Sequence, residues 1–149
     1  MNANHIYIKE LDKRIIRFIK KHTILTLATS GKDKPYCCTC FYVYKEEENK
    51  FFITSDKKTR HIHEAAIQPV VAGAIALETS MIGKIQGVQF TGIIKEPEGK
   101  EYDQAKKIYI RKFPVAALSE LEMWCIEPDF IKFTDNRLGF GKKLIWNKK

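Results

Sequence analysis

The chain has 149 residues, 44% of them hydrophobic and 11% aromatic, so it is long enough to bury one sizeable core and too apolar to remain disordered. Its 26 basic against 18 acidic residues leave a net charge of +8, a balance that suits nucleic acid or a field gathering small phosphorylated ligands. The longest apolar run, Val70 to Leu77, falls far short of the roughly 20 residues of a membrane span. Lys9, Glu10 and Asp12 also interrupt the first apolar residues before a signal-like core can form, so a cytoplasmic protein without membrane association is expected.

In chain order, Ile8, Leu11, Ile15, Phe18 and Ile19 recur at helical spacing and predict one amphipathic helix over Asn4 to Lys21, covering an opening or a face of a sheet. Thr23 to Thr29 and Tyr36 to Tyr44 are β-prone runs separated by the turn cluster Gly31 to Pro35. A charged hairpin tip, Lys45 to Lys50, leads into a third strand over Phe51 to Thr54. Thr54-Ser55-Asp56 then offers cap candidates for a helix opening at Lys57 and ending near Ala66. A fourth strand from Pro69 to Leu77 and a turn over Ser80 to Gly83 precede a fifth strand, Ile85 to Lys95. In that fifth strand Val88, Phe90 and Gly92 alternate with Gln89, Thr91 and Ile93, and Gly87 and Gly92 permit a bulge or a close backbone approach. Glu98 to Lys112 is a second amphipathic helix, stopped near Pro114. Leu121 to Ile126, Phe130 to Thr134 and Leu144 to Trp146 complete the strands. Residues 1–149 form a single domain of the α+β class, a small antiparallel β-barrel of six or seven strands with two or three flanking helices.

The third strand thus runs into a helix N-terminus carrying Lys57, Lys58 and Arg60. Such an end leaves backbone N–H groups without intrahelical partners and bears the positive pole of the helix dipole, so it attracts an anion. The hydroxyls of Thr54, Ser55 and Thr59 add donors. A phosphate cradle fits this pattern, as does a solvated basic helix with an ordinary cap, and the spacing leaves both open.

Four cysteines, three of them within Cys37-Cys38-Thr39-Cys40, do not make a secreted disulfide framework in a chain with this much core. Cys37 and Cys40 have C-x-x-C spacing, but residues three apart on a strand point to opposite faces, and His61 and His63 do not share a helix face. No metal centre is expected, and the cysteines are expected to be half-buried strand residues. No catalytic acid or base stands out.

Four segments carry a family resemblance: Ser55-Asp-Lys-Lys-Thr-Arg-His61, Ile85-Gln-Gly-Val-Gln-Phe-Thr-Gly92, Arg111-Lys-Phe-Pro-Val115 and Ile131 to Trp146. With them the chain resembles, over nearly its whole length, the FMN-binding split-barrel superfamily that includes pyridoxamine-phosphate oxidase, and within it the YhbP-like branch. The resemblance implies a split barrel, a homodimer, and FMN held in clefts between subunits. It implies that Ser55, Lys57, Lys58 and Arg60, with the Thr59 hydroxyl beside them, hold the FMN phosphate. Thr39, Cys40, Phe41 and Tyr42 would run beside the isoalloxazine, Phe52, Ile53 and Thr54 would lie below it, and Gln86, Gly87, Val88 and Gln89 would approach from the partner subunit.

The chain departs from the oxidase itself. Cys37 to Phe41 offers no cation where that enzyme supplies phosphate ligands, and Arg137 to Trp146 does not match its substrate-binding residues, so pyridoxamine-phosphate oxidase activity is not expected. The implied function is an FMN-dependent oxidoreductase accepting hydride from a nicotinamide cofactor or a small organic substrate, with FAD needing only room beyond the phosphate. A haem-binding or haem-degrading relative is the first alternative, with His5, His22, His61 and His63 as the available ligands. The second is a nucleic-acid or partner-binding module built on the basic segment after Asp135, whose lysines lack the interleaved aromatics of a single-strand platform.

Overall fold

The computed structural model describes residues 4–149. Eight strands form one sheet: β1 (His5–Ile8), β2 (Ile24–Gly31), β3 (Lys34–Lys45), β4 (Lys50–Thr54), β5 (Val70–Ala76), β6 (Gln86–Lys95), β7 (Met123–Asp135) and β8 (Lys143–Asn147). Three helices accompany them: α1 (Lys13–Lys21), α2 (Arg60–Ile67) and α3 (Gly99–Lys112). The sheet order is β1-β8-β7-β4-β3-β2-β5-β6, and a further β7–β6 pairing closes six of the strands into a ring. The edge of β7 away from β6 is shared. Met123 to Ile126 pair with β4, while Phe130 to Thr134 pair with β8, so the two ends of one strand serve two partners and the barrel splits there.

That sharing explains one departure from expectation. Leu121 to Ile126 and Phe130 to Thr134, expected as separate strands, fall from Met123 onward within the single thirteen-residue β7, with Leu121 and Glu122 ahead of it. Pro128 lies within it, which a regular ladder would not accept, but it sits opposite Gly92 where the β6–β7 register shifts. A second departure is at the start. The helix expected over Asn4 to Lys21 is confined to Lys13–Lys21, and His5–Ile8 is a strand paired in parallel with β8. β-branched and aromatic Ile6, Tyr7 and Ile8 favour the extended form once a partner strand is present.

The barrel interior is filled by Leu25, Leu27, Tyr42, Phe51, Ile53, Phe90 and Phe133, with Phe51 and Phe90 stacked at 4.8 Å between ring centroids. α1 adds Ile15, Phe18 and Ile19 to this core. A second cluster lies under α3, where Ala105 and Tyr109 meet Val43, Phe52, Leu121, Met123 and Cys125. Tyr42 ties α1 to the barrel by donating its hydroxyl to the Ile19 carbonyl at 2.5 Å.

Asp12 caps α1, accepting from the Arg14 backbone N–H at 2.8 Å and from its guanidinium at 2.7 and 2.9 Å. The guanidinium hydrogen bonds hold the Asp12 carboxyl down at about 2, from an ordinary value of 3.8. Because the folded value is the lower one, the charged cap stabilises fully above the ordinary value, and that contribution is lost as pH falls through about 2. Asp12→Ala is expected to cost about 1 kcal/mol at neutral pH. It should also flatten the loss of stability between about pH 4 and 2, and urea titrations at both pH extremes measure the two effects.

Candidate cofactor-binding site

The link between β4 and α2 is held from below by the segment that enters β7. Thr54 Oγ1 and the Ser55 N–H both donate to the Glu122 carbonyl, at 3.1 Å each, and the Trp124 indole N–H donates to the Ser55 carbonyl at 2.8 Å. The next residues form a turn rather than helix. The Asp56 carboxylate accepts from the Lys58 N–H at 2.7 Å, and its carbonyl accepts from the Thr59 N–H at 3.0 Å. The helix begins only after Thr59, so Thr54-Ser55-Asp56 does not supply its cap, and Lys57 and Lys58 stand ahead of its first turn. Thr59 makes no side-chain capping bond, because its hydroxyl donates back to the Asp56 carbonyl at 2.7 Å. The α2 N-terminus therefore has no side-chain cap, which is the condition an anion site at a helix end requires.

The three cations around it differ. Lys57 pairs with Glu96 at 2.7 Å. Arg60 pairs with Glu64 at 2.8 Å and lies 4.2 Å from the centroid of the Tyr36 ring. Lys58, exposed, has no ion pair among the described residues. Glu122 adds a carboxylate that accepts the Lys57 N–H at 2.6 Å. An arriving phosphate meets one open ammonium directly and must draw Lys57 and Arg60 away from their carboxylates.

Two larger clefts are present. One, about 590 Å³, lies between α2 and the β2–β3 hairpin and is lined by Lys32, Lys34, Arg60, His63, Glu64 and Ile67 among others. The other, about 710 Å³, lies between α3 and β3 near Val43, Ile108 and Lys112, away from the Ser55 to Arg60 turn. The first adjoins the uncapped helix end through Arg60 and so is the one relevant to a phosphorylated ligand.

The remaining candidate residues divide by strand face. Thr39 and Phe41 are exposed on the outside of β3, and Gln89 is exposed on the outside of β6. Thr39 pairs with Thr26, Thr26 with Ala74, and Ala74 with Gln89, so Thr39 and Gln89 share one outer face, roughly 14 Å apart at about 4.8 Å per strand. Cys40, Tyr42, Phe52, Ile53 and Val88 have buried side chains, so a ligand on the outer face would meet only their backbone. Gln86, half-buried, accepts from Arg137 at 3.1 Å, and Gly87 lies beside it on β6. Tyr42→Phe is accordingly expected to lower stability by about 1 kcal/mol through the lost Ile19 bond while leaving ligand affinity unchanged, as paired melting and binding measurements would register.

Sequence spacing missed His61 and Cys38. His61 Nε2 is 2.6 Å from Ser55 Oγ and 3.3 Å from Thr59 Oγ1, and burial pushes its pKa below the ordinary 6.5. Cys38 and Cys40 sulfurs approach to 3.7 Å on the inner face of β3, and the proton shared with Cys38, with burial, pushes the Cys40 thiol up. Cys37 is exposed on the other face, so Cys37 and Cys40 diverge as their spacing predicts.

No protein-family model matches the chain. UPF0306 protein YhbP of Escherichia coli O157:H7 is 41% identical over 132 residues, covering 89% of this chain and 90% of that protein. The chain belongs to the UPF0306 (YhbP) family. The solved structures similar to this UPF0306 chain are split barrels of the pyridoxamine-phosphate-oxidase type. A putative pyridoxamine 5'-phosphate oxidase from Listeria innocua matches with a TM-score of 0.66 at 14% identity, over 83% of this chain and 98% of that one. A heme binding protein from Mycobacterium smegmatis matches with a TM-score of 0.75 at 15% identity, over 94% of this chain and 60% of that one. A FAD-binding protein from Mesorhizobium loti matches with a TM-score of 0.65 at 13% identity, over 79% of this chain and 87% of that one. At such identities the likeness is one of fold. Among the described residues of this UPF0306 chain no helix is long and apolar enough to cross a membrane.

Proposed function

We propose that the protein binds FMN at the α2 N-terminus and serves as an FMN-dependent oxidoreductase, with the flavin held at a homodimer interface. The observation that carries this reading is the helix end without a side-chain cap, beside the open ammonium of Lys58 and the hydroxyls of Ser55 and Thr59. Backbone N–H groups and the helix dipole there favour a phosphate monoester. Bound flavin would supply the hydride or electron chemistry, while the chain binds, orients and shields it. A nicotinamide cofactor or small organic substrate would be the electron donor. The outer face of β2, β3, β5 and β6, which presents Thr26, Thr39, Ala74 and Gln89, is the surface we assign to the second subunit. Absorbance of the purified protein, followed by fluorescence titration with FMN, tests the reading. Flavin bands or saturable quenching in the micromolar range would support it, and a colourless protein indifferent to FMN would end it.

Haem is the second reading. The cleft beside α2 is lined by exposed His63 together with Lys32, Lys34 and Arg60, a combination of one free imidazole and several cations suited to an iron porphyrin bearing carboxylates. A Soret band on haem addition that disappears in His63→Ala would favour it over the flavin.

A further inference from the structure

β3 and the first turn of α2 bring two thiols and an imidazole together inside the barrel end that α2 covers. Cys38 and Cys40, two apart on an extended strand, share its inner face, and their sulfurs are 3.7 Å apart. A ring nitrogen of His61 lies within 4.8 Å of both sulfurs. The hydroxyls of Ser55 and Thr59, 2.6 and 3.3 Å from Nε2, fix the orientation of that ring. The pair that shares a face is Cys38 with Cys40, not the C-x-x-C pair.

The sulfur–sulfur separation matches an edge of a coordination polyhedron, and the imidazole nitrogen lies within 4.8 Å of both sulfurs. A tetrahedral centre with metal–sulfur bonds of about 2.3 Å has a sulfur–sulfur edge of about 3.8 Å, and its sulfur–nitrogen edge is about 3.6 Å. A disulfide is poorly served by comparison. Cβ atoms two apart on the same strand face lie roughly 6.6 Å from each other, whereas a disulfide needs about 3.5–4.5 Å. Charge also favours a cation, since two thiolates balance a divalent ion and leave no net charge in the interior. The contrast with the second cluster, Glu101, Cys125 and Glu127, is instructive: Lys50 and Lys95 already place their ammonium groups against those carboxylates, both at 2.5 Å. Among the described residues no salt bridge reaches His61.

We propose that Cys38, Cys40 and His61 form a binding site for a thiophilic divalent cation of the zinc class, with one coordination position open. The ion would join β3 to the first turn of α2. The Ser55 and Thr59 hydroxyls that orient His61 also line the proposed phosphate cradle, so the two sites adjoin.

Titration of the reduced, metal-free protein with Co²⁺ tests it. The expected result is one ion per chain with thiolate-to-cobalt charge transfer and the intense visible absorption of a tetrahedral centre, displaced by Zn²⁺. The half-buried Cys38 should become protected from thiol reagents, and the melting temperature should rise with metal concentration. Cys37→Ser, on the opposite face, should bind as the wild type does. Cys38→Ser and His61→Gln, both at half-buried positions and checked for folding by circular dichroism, should each weaken Co²⁺ binding by about tenfold or more. The proposal is overturned if the wild type shows no tetrahedral spectrum, if both of those variants keep it, or if Cys37→Ser abolishes it.

Discussion

Gly92→Ala is expected to destabilise the protein by about 3 kcal/mol, with little change in the denaturant slope. A Cβ at this position would lie 2.4 Å from the Glu127 carbonyl oxygen, 2.9 Å from its carbon and 2.9 Å from Pro128 Cα. All three atoms are main chain, and they belong to the stretch of β7 where the register against β6 shifts. No rotamer change relieves the contact, so the two strands must separate at the point where the ring needs them paired. Gly83→Ala makes the control: a Cβ there meets nothing within 4 Å, and the change should stay within about 0.5 kcal/mol of the wild type. Urea unfolding of both variants decides the matter. A Gly92→Ala protein as stable as the Gly83→Ala one would mean that β6 and β7 do not meet in this register.

Lys58→Ala should weaken FMN binding about ten- to a hundredfold, the equivalent of one charge-assisted hydrogen bond of about 1.5–3 kcal/mol. Its ammonium has no ion pair to give up among the described residues, so its full attraction to a phosphate counts toward binding. Arg60→Ala should fall toward the tenfold end of that range, because the guanidinium already satisfies Glu64 and lies over Tyr36 before any ligand arrives. Lys148→Ala should be silent, as the one ion pair of that ammonium among the described residues is with Glu127, at 3.9 Å. Fluorescence titration at fixed ionic strength measures all three. Equal affinity for wild type, Lys58→Ala and Arg60→Ala would remove the phosphate from the α2 N-terminus.

Most of the barrel was legible because its strands carry their own periodicity. The alternation of Val88, Phe90 and Gly92 with Gln89, Thr91 and Ile93 predicts the inward and outward faces of β6, and the structure has them so. β1 was hidden for a physical reason: Ile8, Leu11 and Ile15 match a helical stripe, and only pairing with β8, at the far end of the chain, makes His5–Ile8 extended. β7 was hidden by Pro128, a strand breaker unless a bulge faces it. In the candidate site the basic residues were visible, but the parity of β3 was not. Alternation separates Thr39 and Phe41 from Cys40 and Tyr42 without saying which pair faces the core. The carboxylates that restrain the cations divide similarly. Glu64 is one helical turn from Arg60, whereas Glu96 and Glu122 arrive from distant parts of the chain.

The closure of the ring by β7 also has a consequence in time. Phe51 pairs with Ile126 and Val88 with Phe133, so neither β4 nor β6 has its β7 partner until residues 123 to 135 have left the ribosome. A nascent chain carrying β2, β3 and β4 alone holds a three-strand meander with an unpaired β4 edge. Contacts this distant in sequence place folding in the range of milliseconds to seconds, so the last quarter of the polypeptide sets when the barrel forms.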